Sequence, residues 1–140
     1  MVILSVDYGD KRTGIAVCDK NEILATGIKV IEEWNAEALA AKIANEAEQR
    51  KAELIVIGLP KNMDGSSGYR TEECRHLGEL INLKIATPVE YWDERLTTVS
   101  AHTILNEVNV RGKKRKQTVD AVSAEIILQN YIDHRKVNLK

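Results

Sequence analysis

Four carboxylates in this chain sit where solubility does not account for them. Asp7 ends the apolar run VILSVDY (2–8), two residues before Gly9. Asp93 and Glu94 follow directly on TPVEYW (87–92), and Asp120 lies among Val119, Ala121 and Val122. Carboxylates gathered at one place repel each other unless a cation compensates. Oxygen ligands suit Mg²⁺ or Mn²⁺. One or two such ions can activate water and stabilise the leaving oxygen in phosphodiester hydrolysis. Each residue also has a plainer role. Asp7 can cap the turn at Gly9 through backbone N–H groups. Asp93 and Glu94 can serve as N-terminal charges of a following helix, and Asp120 can favour a helix dipole with Thr118 as N-cap.

Next to Asp120 runs a basic stretch. Arg111, Lys113, Lys114, Arg115 and Lys116 put five positive charges in six positions. Such a run is commonly a solvated loop, but beside an acidic site it gives phosphates a path toward otherwise repulsive carboxylates. Lys11 and Arg12, in the turn after Asp7, can add to it. Tyr91 and Trp92 read as core; Trp34 and Tyr131 fit either a core or a base-stacking role.

The elements that must position these groups follow from periodicity. Residues 2–8 form a central strand, 14–19 (GIAVCD) a second and 22–31 (EILATGIKVI) a third, joined by short turns into an antiparallel meander. The period then changes: in 35–51, Leu39, Ile43 and Ala47 recur at helical spacing, with Asn35 as N-cap. A buried strand follows at 53–60, then a loop rich in turn formers at 61–68 (KNMDGSSG) and a helix over 69–83. The fifth strand is 87–92. DERLTT (93–98) leads into a third helix, where Ala101, Ile104, Leu105 and Val108 line up. Residues 109–116 read as a polar, basic connection and 117–134 as the last helix. The order βββαβαβαα predicts a mixed sheet with parallel crossovers and helices on both faces. Ligands of such sheets gather beyond the carboxyl ends of the parallel strands, where Asp7, Gly58 and Asp93/Glu94 would share a rim.

Composition sets outer bounds. The 140 residues suit one domain over 1–140, with aliphatic residues filling a core that contains no Phe. Twenty Lys and Arg against 21 Asp and Glu leave a net charge of −1, so any nucleic-acid signal is local. No apolar run reaches the roughly 18 residues of a membrane span, and no leader pattern opens the chain, which reads as cytoplasmic. Cys18 and Cys74 match no zinc spacing and read as buried free thiols, and His76, His102 and His134 are scattered.

Four segments, VDYGDKRTGIAVCD, IVIGLPKNMDGSSG, DERLTT and KQTVDAVSAEIILQNYI, together resemble the YqgF family of bacteria, also called RuvX, in the family's order and over nearly the whole chain. The resemblance implies an RNase H-like fold with strand order 3-2-1-4-5 and strand two antiparallel to the others. It implies a cytoplasmic nuclease dependent on Mg²⁺ or Mn²⁺. The role it implies is maturation of the 5′ end of pre-16S rRNA, with the small-subunit precursor as partner, or resolution of branched DNA. By resemblance the first acid falls on Asp7, the acid of DER on Asp93 or Glu94, and the helical acid on Asp120, with Gly9 and Gly14 as hairpin glycines. Adjacent residues of a strand face opposite ways, and Glu94 has the longer reach and matches the glutamate common here in RNase H-like nucleases, so Glu94 is preferred over Asp93 as ligand. RuvC-type resolvases carry two carboxylates at i and i+3 on the last helix; here Ser123 stands three after Asp120.

Two other classes share parts of this pattern. Sugar kinases and actin-like ATPases also open on a strand, an aspartate and a glycine hairpin, but hold nucleotide between two such domains. A non-catalytic RNA-binding assembly factor needs no acidic cluster.

Overall fold

The computed structural model describes residues 1–9, 11–59, 69–93 and 112–138, the side chains of residues 69, 112–120, 137 and 138 excepted. The described elements are β1 (Ile3–Asp7), β2 (Arg12–Cys18), β3 (Ala25–Glu32), α1 (Ala36–Gln49), β4 (Leu54–Leu59), α2 (Tyr69–Asn82), β5 (Val89–Asp93) and α3 (Gly112–Asn138). The five strands form one sheet in the order β3-β2-β1-β4-β5. β2 is antiparallel to both its neighbours, whereas β1–β4 and β4–β5 are parallel. The topology is the one the resemblance implied. The helix expected between residues 97 and 108 lies outside the described residues.

Alternation along the strands sorts side chains onto two faces. Leu4 and Val6 of β1, Ile55 and Ile57 of β4 and Ile15 of β2 pack with Leu39, Ile43 and Ala47 of α1 and Leu77 and Ile81 of α2. Ile3, Ala16, Val56 and Trp92 point the other way and pack on Ala124, Ile127, Leu128 and Ile132 of α3. Burying each large aliphatic side chain contributes roughly 1.5–3 kcal/mol, and without phenylalanine these residues supply most of the core.

Some boundaries differ from the sequence reading, each for a local reason. β3 starts at Ala25 rather than Glu22, because Glu22 takes a left-handed turn conformation (φ 56°) and Asp19 accepts the Ile23 N–H at 2.8 Å. β5 includes Asp93. The stretch 112–116 is no loop: α3 runs unbroken from Gly112. Lys and Arg are good helix formers, and no proline or glycine interrupts the run after Gly112. Thr118 is therefore inside the helix and cannot be its N-cap. Asn35, by contrast, caps α1 as expected, its Oδ1 accepting the Ala38 N–H at 2.9 Å.

α3 crosses its face obliquely and close to the backbone. Ala121 packs on Gly27 of β3, Ser5 Oγ in β1 donates to the Ala124 carbonyl at 2.7 Å, and Tyr131 reaches Glu90 in β5. A Cβ on Gly27 would stand 2.8 Å from the Ala121 carbonyl oxygen and 3.3 Å from its Cβ. Backbone cannot yield there, so Gly27→Ala should push α3 off the sheet and cost about 1–3 kcal/mol. Urea unfolding checks this; a midpoint equal to that of wild type would show that α3 is not tightly seated.

Candidate active site

The carboxyl ends of β1, β4 and β5 share one rim, because the three strands are parallel neighbours. β3, antiparallel to β2 as β1 is, ends at that rim too. Asp7 closes β1, half-buried, opposite Gly14 of β2. A glycine partner sets no side chain beside the carboxylate. The hairpin that follows is tight: a Cβ on Gly9 would lie 2.1 Å from the Arg12 carbonyl oxygen, so only glycine fits. The Gly9 N–H donates to Thr13 Oγ1 at 3.4 Å, a partner from within the turn itself.

By alternation Asp7 shares its face with Ser5, the face covered by α3. Asp93 pairs with Leu59 at the end of β5 and shares its face with Val89 and Tyr91, which pack on the α1–α2 side. The two aspartates thus reach one rim on opposite faces of the sheet. Glu94 and Arg111 lie outside the described residues.

Residue 120 belongs to the face of Asp7 by its position in α3. It precedes Ala124 by one helical turn, about 6 Å, on the same stripe of the helix. Asp7 follows Ser5 by two residues, about 7 Å. Ser5 and Ala124 are the hydrogen-bonded pair, so both positions lie a short step from one contact. C-terminal to that contact, α3 leads away from the rim: Glu125 accepts the Gly27 N–H, Gln129 the Ala25 N–H, and Arg135 pairs with Glu22 at 2.9 Å. The N-terminal half leads toward the rim. Lying beyond the first turn, Asp120 gains little from the helix dipole, which leaves that reading of it without support.

The basic residues divide. Lys113, Lys114, Arg115 and Lys116 occupy the first turns of α3, with no acidic residue in its first turn. Arg12 opens β2 on the face of Asp7, with Glu32 4.0 Å away and its Nε buried without a hydrogen bond among the described residues. Lys11 lies in the hairpin at the rim, its ammonium 5.6 Å from the centre of the Trp34 ring. Trp34 is 75% exposed. Tyr131 belongs to the core side instead: it stacks edge-on against buried Trp92 at 5.9 Å and bonds the Glu90 carboxylate. Burial, with that carboxylate second, pushes its phenol up to about 12, so it stays protonated. Hydrogen bonding from Lys42 and from the Asn35 N–H holds the Glu33 carboxyl, beside Trp34, below its ordinary range.

Ser5 and Arg70 escaped the sequence reading. A serine amid apolar strand residues was the available signal for Ser5. Arg70 had none: it sits in the first turn of α2, donates to the Tyr8 carbonyl at 2.5 Å and lies 4.6 Å from the Tyr8 ring, bracing the residue after Asp7. Cys18 and Cys74 are buried free thiols, as expected, in the α3-side and α1–α2-side cores respectively. Among the described residues no three His, Cys, Asp or Glu side chains form a metal cluster, and no helix is long and apolar enough to cross a membrane.

Comparison with known proteins agrees with this architecture. The family described as "RuvX: Holliday junction resolvase" matches residues 1–134. A protein of Halothermothrix orenii named "Putative pre-16S rRNA nuclease" is 42% identical over 135 residues, covering 96% of each chain. A relative of the same name in Gloeobacter violaceus is 39% identical over 134 residues, covering 96% of this chain and 85% of its own. Among solved structures, Thermus thermophilus RuvC in complex with a Holliday junction substrate superposes with a TM-score of 0.60 at 12% identity, over 97% of this chain and 96% of that one. The fowlpox virus resolvase bound to Holliday junction DNA gives 0.55 at 13% identity, over 96% and 99%. At such identities these likenesses show the fold alone, RNase H-like; the match of the family over residues 1–134 shows that the chain belongs to RuvX.

Proposed function

We propose that this protein is a divalent-metal-dependent endonuclease that trims the 5′ end of pre-16S rRNA, with Asp7, Glu94 and Asp120 as its metal ligands. The observation that carries the reading is the Ser5–Ala124 contact, from which Asp7 and residue 120 are each a short step on one face of the sheet. Family membership and the name of the relatives support the nuclease and its RNA substrate. The donor chemistry fits Mg²⁺ or Mn²⁺: the set is all carboxylate, and both cysteines are buried in the cores. When bound, the ions activate water and stabilise the leaving oxygen. Asp93, on the other face of β5, is left to orient the strand end, which favours Glu94.

The first turns of α3 suit phosphate. Lys113, Lys114, Arg115 and Lys116 stand at the positive end of a helix dipole, an unfavourable place for cations that an arriving phosphate would relieve. Arg12, on the face of Asp7, adds a further charge, and Lys11 and Arg111 complete the basic set. We infer that the chain works in the cytoplasm on the small-subunit precursor. Junction resolution is the second reading, on the family's own description. Ser123, where RuvC-type resolvases have a second helical carboxylate, weighs against it.

Purified protein incubated with a 5′-extended 16S precursor transcript and, separately, with a four-way DNA junction tests both readings. Mg²⁺-dependent shortening of the transcript, mapped at its 5′ end, is expected. Cleavage of the junction alone would favour the second. Asp7→Asn should lower the rate about a hundredfold or more, with thermal stability in metal-free buffer kept or raised as carboxylate repulsion falls. Undiminished cleavage in excess chelator would overturn the metal dependence. Glu94→Gln should abolish turnover at an unchanged midpoint in metal-free buffer, whereas Asp93→Asn should mainly cost about 1 kcal/mol of stability through a weakened hydrogen bond at the strand end; the reverse pattern moves the ligand role to Asp93.

Replacing Lys113, Lys114 and Lys116 together by Gln should weaken RNA binding and flatten the slope of log affinity against log salt by about 0.7 per lost contact on a single strand. An unchanged slope would mean that these turns face solvent only.

A further inference from the structure

Trp34 is one of two tryptophans in a chain with no phenylalanine. Trp92, the other, is buried in the core, but Trp34 is 75% exposed. An indole left in water gains nothing for folding, yet its backbone is held firmly. The Glu33 carboxylate accepts the N–H groups of Trp34 (3.2 Å) and Asn35 (3.3 Å) and is itself held by Lys42 at 2.8 Å. Asn35 in turn caps α1. On the other side, the Glu33 N–H donates to the Lys11 carbonyl at 3.0 Å, tying this turn to the hairpin after Asp7. The Lys11 ammonium lies over one side of the ring, 5.6 Å from its centre. Exposure of three quarters of the residue leaves the other side open.

The position gives this ring a use. Trp34 stands two residues past β3, whose end shares the rim of Asp7. Asp7 pairs with Gly14 and Gly14 with Val30, so Trp34 lies two strand spacings across and four residues along from Asp7. That is roughly 16 Å, the span of a few nucleotides.

We propose that Trp34 and Lys11 form a stacking subsite for one unpaired base of the nucleic-acid substrate, with the Lys11 ammonium beside that nucleotide's phosphate. The subsite rests on the nuclease reading above and deepens it. Its task is to fix how far an unpaired strand advances past the carboxylates, and so which bond is presented for cleavage. A rigid, exposed aromatic ring with a cation at its side suits this, since stacking accepts any base and loses little conformational entropy.

The test is binding of a fluorescently labelled oligouridine, and of a blunt RNA duplex, to the full protein in metal-free buffer, where cleavage does not interfere. Trp34→Ala should weaken oligouridine binding between about five- and a hundredfold, with the salt slope unchanged because no charge is lost. Trp34→Phe should restore most of the affinity, and duplex binding should not change in either variant. Equal oligouridine affinity in wild type and Trp34→Ala overturns the subsite while leaving the nuclease reading intact. Equal losses for duplex and single strand also overturn it, because stacking requires a free base face. If wild type binds no RNA and cleaves none when Mg²⁺ is restored, the nuclease reading falls and the subsite with it.

Discussion

The Ser5 hydroxyl, fully buried in the middle strand, donates to the Ala124 carbonyl at 2.7 Å and seats α3 on the sheet. A hydroxyl in such a place destabilises unless bonded, so the contact constrains where the helix can rest. Gly27 lets the same helix come to backbone contact on β3. Between them these contacts fix which residues of α3 face the sheet and how far toward the rim its N-terminal half extends. Trp92 and Tyr131, edge to face, close the other side of the crossing. The position of residue 120 follows from this seating.

Charge is distributed around that frame unevenly. Several opposite charges are paired: Glu22 with the N-terminus and Arg135, and Glu46 with Lys29 and Arg50. Against burial, which raises Glu22 most and Glu46 less, those partners together hold both carboxyls below their ordinary range, so their contribution to stability is present at neutral pH and lost as pH falls through the lowered values. The rim holds pairs as well, Glu33 with Lys42 and Arg12 with Glu32. Carboxylates stand at strand ends, and a cluster of cations begins α3 where its own dipole opposes them. The proposed binding of a metal ion and a polyanion would draw on both sets of charge. Trp34 belongs with this rim: an apolar ring kept in water on a braced turn.

Much of this was legible from the residues. Apolar runs and the shift from a period of two to one near 3.6 located the strands and α1, and Asn35 marked where α1 begins. The resemblance supplied the strand order. Asp7 stood out because a charged residue closed an otherwise apolar strand. Local chemistry misled at two places. Lys113 to Lys116 read as a loop because a charge run carries no hydrophobic period, although the same residues propagate a helix readily. Glu22 read as strand because nothing in its side chain announces a left-handed turn.

The sequence by itself determined the five strands, the first two helices and the body of α3, the family and the candidate carboxylates, because these depend on local pattern and on residue identity. Only the tertiary structure decided which face each candidate serves. Asp7 and Asp93 end parallel strands and look equivalent in a linear reading, yet strand register sets them on opposite sides of the sheet. Arg70 and Tyr8 are 62 positions apart and meet only because α2 folds back beside β1. Trp34, ambiguous between core and surface as a residue type, is exposed because the turn after β3 projects past the sheet, where no described element covers it. Burial, face and long-range pairing are properties of how elements pack, and no spacing along the chain encodes them alone.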